Sequence, residues 1–341
     1  MQIDTGPFHG SATAGELSTR PAATALRMRS DAYAADTWAA YTQQIEQQGL
    51  PMAVTEHLQR TPGKLLRARM LHAATFVEQG SACEPCSISA GCAMELIQTA
   101  SVLHDDLVDG AELRRGLPAL GAAIGIRAAA MAGACLAGAG IACLADVAAH
   151  HQLALQYEPL RTLAEGQVLE TLPQRGGSVQ SCRARYLDVV LAKTAPLFRL
   201  AVLSGAQLGQ ALPATQQLLV QMADHLAVAY QVMDDIRDCE DNPRLGKAPG
   251  ADILAGVLTW PLLDWVAADI DQTARLQALE GCRGNLQRSD DLRRRIVDSG
   301  TLQTSRQFVQ HKLRAAQALL SELRQSVTTD FFAALFAEVM T

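Results

Sequence analysis

The chain has 341 residues, 49% of them apolar but only 4% aromatic, and a formal net charge of −6. That length admits one large domain or two ordinary ones, and the Ala- and Leu-rich mixture favours helices packed through small side chains. The charge excludes a globally basic footprint for nucleic acid and predicts solubility without pointing to a partner.

Residues 1–35 are rich in Gly, Ser, Thr, Ala and Arg without a period, and are expected to form a flexible arm with a docking helix from Ala34 onward. From the polar opening MQIDTGPFHGSATAGE no secretory signal is expected. From 36 to 341 no shift in composition marks a domain boundary. Apolar periodicity predicts helices over 36–49, 51–60, 63–78, 87–109, 119–148, 151–171, 179–208, 213–238 and 252–269, with several more after 290. Turn signals separate them, at Pro62-Gly63, Gly116-Leu-Pro118, Gly176-Gly177 and Asp241-Asn-Pro243. Strand alternation is nearly absent, so the expectation is one all-α domain of ten or more helices.

The uncharged run from Ala128 to Ala145 is long enough for a membrane span, but it is mostly Ala and Gly and gains little from lipid. It is expected to be a buried helix in a tight bundle, with no stable membrane insertion. Eight cysteines are scattered along the chain, and the one close pair, Cys83-Glu-Pro-Cys86, lacks a second pair at zinc-site spacing. Reduced thiols in a cytoplasmic enzyme are the expectation.

Two acidic pentads carry the chemistry: Asp105-Asp106-Leu-Val-Asp109 and Asp234-Asp235-Ile-Arg-Asp238. Each closes a long apolar helix, and positions i and i+4 share a helix face. Two facing carboxylate pairs repel unless multivalent cations lie between them. Hard oxygen ligands that leave positions open suit Mg²⁺, which completes its shell with water and substrate phosphates. Two greasy helices ending in carboxylates predict a deep apolar pocket with a polar mouth, suited to a charged head on a hydrocarbon tail.

Such a site also needs cations. Arg114-Arg115 follow the first pentad, Lys193-Thr194 interrupts an apolar helix, and Lys247 follows the second pentad. Gly63-Lys64-Leu-Leu-Arg67 is predicted to open a helix, where backbone N–H groups favour an anion. Arg offers a planar fork to phosphate and Lys a point charge.

This ordered set resembles the trans-isoprenyl diphosphate synthases, the polyprenyl synthetase family, in a form like that of geranylgeranyl diphosphate synthases. The markers run from Gly63-Lys64 and Arg67 through Glu95-Leu-Ile-Gln98, His104-Asp-Asp-Leu-Val-Asp109 and Arg114-Arg115-Gly116. They continue with Glu165-Gly-Gln167, Lys193-Thr194, Tyr230-Gln231, the second pentad, Gly246-Lys247 and Asp252…Gly256…Thr259-Trp-Pro261. The resemblance implies an isoprenoid-synthase-type helical bundle around a central cavity, spanning 36–341. It implies 1'-4 condensation of isopentenyl diphosphate with an allylic diphosphate, and a homodimer joined through flat apolar helix faces.

Residue by residue, the resemblance implies that Asp105, Asp109 and Asp234 bind three Mg²⁺ ions, supported by Asp106, Asp235 and Asp238. Arg114, Lys193 and Lys247 would hold the allylic diphosphate, with Thr194 beside Lys193. Lys64, Arg67, Gln98 and Arg115 would hold isopentenyl diphosphate, and Gln231 would lie beside the metal-bound diphosphate. Several positions depart from the family pattern. Leu65 stands where a cation is usual, Gly133-Ala134 replaces Gly-Asp, Glu170 replaces Asp, and Val257 follows Gly256 where lysine is usual.

Side chains preceding Asp105 on its helix should line the tail pocket. Ala100 and Ser101 are small where short-chain members carry a bulky aromatic, and Ile97, Met94 and Ala93 lie deeper. Products of C20 or somewhat longer are expected. Two further readings use the same fold: a class I terpene cyclase, whose second motif would normally be (N/D)xx(S/T)xxxE, and a head-to-middle prenyl synthase. A noncatalytic partner subunit is a third, although such subunits tend to lose one pentad. The tail Phe331-Phe332-Ala-Ala-Leu-Phe336 is expected to dock as a helix.

Overall fold

The computed structural model describes residues 21–78, 84–151, 153, 158–172, 177–240, 249–323 and 326–340, with side chains from residue 28 onward and not at 326–327. Sixteen helices make up the described chain, and the one sheet is a two-stranded ribbon of two residues per strand. The helices are α1 (Pro21–Gln47), α2 (Met52–Gln59), α3 (Leu66–Ala74), α4 (Glu84–Asp109), α5 (Leu120–Ile124), α6 (Ile126–His151), α7 (Glu158–Thr171) and α8 (Val179–Lys193). They continue as α9 (Ala195–Leu208), α10 (Pro213–Cys239), α11 (Ala251–Ala255), α12 (Trp260–Ala267), α13 (Gln272–Glu280), α14 (Leu286–Asp298), α15 (Leu302–Ser321) and α16 (Ser326–Met340). Strands β1 (Leu113–Arg114) and β2 (Leu117–Pro118) form the ribbon.

α10 forms the axis. Its buried side chains Leu219, Met222, Leu226, Val232 and Ile236 join Met70 and Leu71 of α3, Met94 and Ile97 of α4, Phe198 of α9, Val309 of α15 and Phe332 of α16 in one apolar cluster. Few aromatics are needed because glycines let helix backbones approach. A Cβ at Gly205 of α9 would lie 2.0 Å from the Leu71 carbonyl oxygen, and one at Gly209 would lie 2.4 Å from that of Thr75. On the other side of α4, Gly140 of α6 packs against Ile97 and the Ala93 carbonyl.

Several expected helices change at their ends or break. α1 begins at Pro21, upstream of Ala34, because Tyr33, Tyr41 and Ile45 give it a buried face against α4; residues 1–20 lie outside the described residues. The segment 119–148 divides at Gly125, whose φ of 90° is outside the helical region. The segment 179–208 bends by 41° at Thr194, since Pro196 has no N–H to give the Ala192 carbonyl. The segment 252–269 divides at Gly256, φ 75°. α13 has no apolar periodicity in its sequence, and so it gives no signal there.

Among the described residues α4 and α6 are long and apolar enough to cross a membrane by length and composition. The expected full burial of 128–145 is corrected. Only 33% of the apolar window of α6 is buried, because one face packs on α4 while Ile126 and Met131 point outward. α16 docks as expected, with Phe331, Phe332 and Phe336 buried. Cys92, Cys135, Cys143, Cys182, Cys239 and Cys282 are free thiols, and Cys83 lies outside the described residues.

Candidate active site

The two pentads occupy the C-terminal turns of α4 and α10. They are linked through the bend between α8 and α9. Lys193 Nζ donates to Asp105 Oδ1 at 2.6 Å and also to Glu170 of α7. Thr194 Oγ1 donates to Gln231 Oε1 at 3.0 Å, and Gln231 Nε2 donates to Asp235 Oδ1 at 3.0 Å. Adjacent residues at one bend thus reach both acidic helix ends. The bend also opens the turn against which Gly166 of α7 packs, since a Cβ there would lie 2.4 Å from the Ala192 carbonyl carbon. That close approach sets Glu170, one turn further along α7, beside Lys193.

Within the first pentad the roles divide by helix face. Asp106 is buried and takes Arg114 Nε at 2.8 Å, with the guanidinium closing a second bond on the same oxygen. Burial is the strongest single influence on Arg114 and lowers it, but the hydrogen bond and charge of Asp106 together with Asp105 and Asp234 leave the guanidinium raised. Asp109 is pushed up to about 6 by burial and then by Asp105, with Lys193 pulling the other way. In the second pentad, burial pushes Asp235 up to about 7 against the lowering pull of hydrogen bonds from Tyr186 and Gln231. Asp238 instead serves the backbone: its Oδ2 accepts from Asp252 N–H at 3.1 Å and its carbonyl from Gly250 N–H at 2.7 Å.

The β1–β2 ribbon sends neighbouring arginines in opposite directions. Arg115 and Gly116 both have positive φ, 53° and 77°, as a tight two-residue hairpin turn requires. Arg114 turns toward Asp106, while Arg115 donates to the Thr61 carbonyl and lies over Gly63. A cavity opens beside them. Gly63, Leu65, Glu95, Gln98, Asp106, Arg114 and Arg115 line it, together with Trp38 and Tyr41 of α1 and His57 of α2.

Not every candidate converges there. Gly63 and Lys64 precede α3 rather than opening it, because Leu65 adopts left-handed backbone (φ 51°) and turns its side chain inward. Lys64 is exposed, and Arg67 is not among the residues lining this cavity, its guanidinium lying 4.7 Å from the Phe198 ring centroid. Burial lowers Arg67 and raises Glu95, the acid that also accepts from Ala68 N–H at 3.2 Å. Lys247 lies outside the described residues. Ala100 and Ile97 fall in different apolar clusters, Ala100 with Leu103, Leu120 and Leu136, and Ile97 with Phe198 and Val228. Ser101 is half-buried on the Asp105 side of α4.

Two features lie beyond the motif residues. Tyr186 of α8 donates to Asp235 Oδ2 at 2.5 Å, and burial raises its hydroxyl pKa well above the usual value. Its spacing of seven from Lys193, one helix face, was the available signal. Trp38, Tyr41 and His57 had none, since distant segments bring them to the cavity.

The donor set suits magnesium. Asp105, Asp109 and Asp234 offer hard carboxylate oxygens, and crowding of Asp105 on Asp109 is the repulsion a divalent cation relieves. Among the described residues no three carboxylate, imidazole or thiol groups close into a cage. Open carboxylate sites of this kind leave ligand positions for water and phosphate oxygens.

The sequence model of polyprenyl synthetase matches residues 50–296. The chain belongs to the polyprenyl synthetase family. It is 30% identical to an all-trans-nonaprenyl-diphosphate synthase (geranyl-diphosphate specific) of Rhodobacter capsulatus over 74% of this chain and 73% of that protein. It is 32% identical to an octaprenyl diphosphate synthase of Haemophilus influenzae over 52% of this chain, and so spans about half the length of that relative, 54%. Among solved structures, a polyprenyl synthase from Caulobacter crescentus complexed with calcium and isoprenyl diphosphate superposes with a TM-score of 0.79. That match has 25% identity and covers 93% of this chain and 97% of that one. These two curated relatives differ in product length, one named for a nonaprenyl and the other for an octaprenyl diphosphate.

Proposed function

We propose that this protein is a trans-prenyltransferase that condenses isopentenyl diphosphate with an allylic diphosphate, 1'-4, to give a prenyl diphosphate. One observation carries the reading: the helix bend at Lys193-Thr194 contacts Asp105 directly and Asp235 through Gln231. That arrangement sets two carboxylate clusters and a cation around one mouth. Three Mg²⁺ ions held by Asp105, Asp109 and Asp234 would supply the positive charge that favours departure of diphosphate.

The chain's own residues do the rest. Lys193 and Arg114 meet the allylic diphosphate, with Lys247 as a third cation. Thr194 and Gln231 hold Asp235 in register with the metal-binding face, and Asp106 fixes Arg114. Gln98 and Arg115 line the cavity that takes the second diphosphate, with Lys64 and Arg67 completing it once α3 and the preceding loop adjust. Apolar walls keep water from the allylic cation, so its fate is attack by the isopentenyl double bond.

The small, half-buried Ser101 on the Asp105 side of α4 supports products of C20 or somewhat longer. The outward face of α6, apolar with Ile126 and Met131 exposed, supports a homodimer across that face, and a cytoplasmic location accords with it. The test is incubation of purified protein with Mg²⁺, isopentenyl diphosphate and dimethylallyl, geranyl or farnesyl diphosphate. Prenyl diphosphates detected by mass spectrometry support the reading. Hydrocarbons released without isopentenyl diphosphate, or no product with any primer, overturn it.

A further inference from the structure

His57 of α2 belongs to none of the motifs, yet it lines the cavity beside the first pentad. That cavity measures about 600 Å³, its open mouth included, within the range of small-ligand sites. Its walls differ in character. Trp38 and Tyr41 of α1 stack with ring centroids 4.8 Å apart and give an aromatic side, where Tyr41 is fixed by donating to Thr99 Oγ1 at 3.2 Å. Arg114, Arg115, Gln98 and His57 bring the nitrogen donors.

The charges on those walls do not cancel. Asp106 is engaged by Arg114, and Glu95 accepts from Ala68 N–H while burial raises it toward the uncharged form. Arg115 donates to the Thr61 carbonyl, a neutral acceptor, and among the described residues no carboxylate pairs with it. The same Thr61 donates through Oγ1 to the His57 carbonyl at 3.1 Å. Two hydrogen-bonded steps thus join the ribbon arginine to the turn of α2 that carries the imidazole. Around His57 the charged groups are Arg60 on its own helix, Asp106 and Glu95 on α4, and Arg114 and Arg115 on the ribbon. Burial and then Arg60 hold the half-buried ring below its usual value, against the opposite pull of Asp106. A guanidinium and an imidazole on one cavity wall suit an anion with several oxygens, and an arriving phosphate favours the protonated ring.

We propose that His57 is a phosphate-binding residue, acting with Arg115 on a diphosphate group in this cavity. On the prenyl-transfer reading the group belongs to isopentenyl diphosphate; that part rests on the reading, and the test separates the two. In full-length protein, His57→Gln and His57→Lys are compared with the parent. Calorimetry without added metal gives Kd for inorganic pyrophosphate and for isopentenyl diphosphate, from about pH 6 to about pH 8. Steady-state kinetics with Mg²⁺ give KM for geranyl diphosphate, and a melt gives the thermal midpoint.

His57→Gln raises Kd for both probes about tenfold near pH 6, the loss expected for one charge-assisted contact. KM for geranyl diphosphate stays within about twofold and the midpoint holds. The parent binds more weakly as pH rises, because the imidazole loses the proton that the phosphate favours. His57→Lys keeps the affinity and is the less pH-dependent of the two, which a merely structural histidine would not allow. An unchanged Kd for both probes, an equal loss for geranyl diphosphate, or a lysine variant as weak as the glutamine one would overturn the assignment. If the parent makes no prenyl diphosphate, the functional reading falls, and the pyrophosphate Kd still decides the role of His57.

Discussion

Replacing Lys193 with Met probes the site most directly. The ammonium is 19% exposed and donates to Asp105 and Glu170, so it is the cation between α4 and α7. Hydrogen bonds to charged groups contribute about 1.5–3 kcal/mol each, and partial exposure argues for the low end, giving about 3 kcal/mol for the pair. On the proposed prenyl-transfer reading the same ammonium turns to the leaving diphosphate. Losing that stabilisation in the transition state lowers kcat/KM for the allylic substrate about 150-fold. Asp105 and Glu170 are both part-exposed and can be rehydrated, so the thermal midpoint falls by only a few degrees, about 2–4 °C. The assay varies geranyl diphosphate at saturating isopentenyl diphosphate, beside a circular-dichroism melt. A kcat/KM within threefold of the parent refutes the reasoning, as does a loss matched by collapse of the melt.

Three further outcomes are expected. Ser101→Phe, on the Asp105 side of α4, shortens the main product, read by mass spectrometry; an unchanged product places the hydrocarbon tail elsewhere. Gly205→Ala puts a methyl group into the Leu71 carbonyl and destabilises by about 3 kcal/mol in denaturant melts, where a change below 1 kcal/mol would show that α3 and α9 can part freely. His72, stacked on Tyr33 and wedged against Phe76 and Phe331, is held neutral by burial and then by Arg29, its pKa pushed down to about 4. The unfolded chain takes up that proton near pH 6.5. The contribution is therefore complete above pH 6.5 and is lost as pH falls toward 4, by about 3 kcal/mol in all. His72→Phe flattens that part of the stability–pH curve, and an unaltered slope would sink the assignment.

Local pattern carried the helical class, nearly every helix and both carboxylate pairs. Periodicity is a short-range property, and 105 with 109, or 234 with 238, shares a helix face wherever the helix goes. It could not show that Asp106 is spent on Arg114 or that Asp238 serves the backbone of α11, because those choices depend on what packs against each face. Nor could it show that the Arg67 guanidinium lies over the Phe198 ring, a contact between α3 and α9. α6 looked wholly buried by composition, yet it covers α4 with one face only.

The sequence by itself determined that long apolar helices end in paired aspartates and that cations follow them. Tertiary structure decided which cation meets which acid, and the cause is geometric. A missing N–H at Pro196 bends one helix, a missing side chain at Gly166 lets another close on the bend, and together they bring Lys193 to Asp105 and Glu170. Such encounters join residues far apart in the chain, and no local periodicity records them.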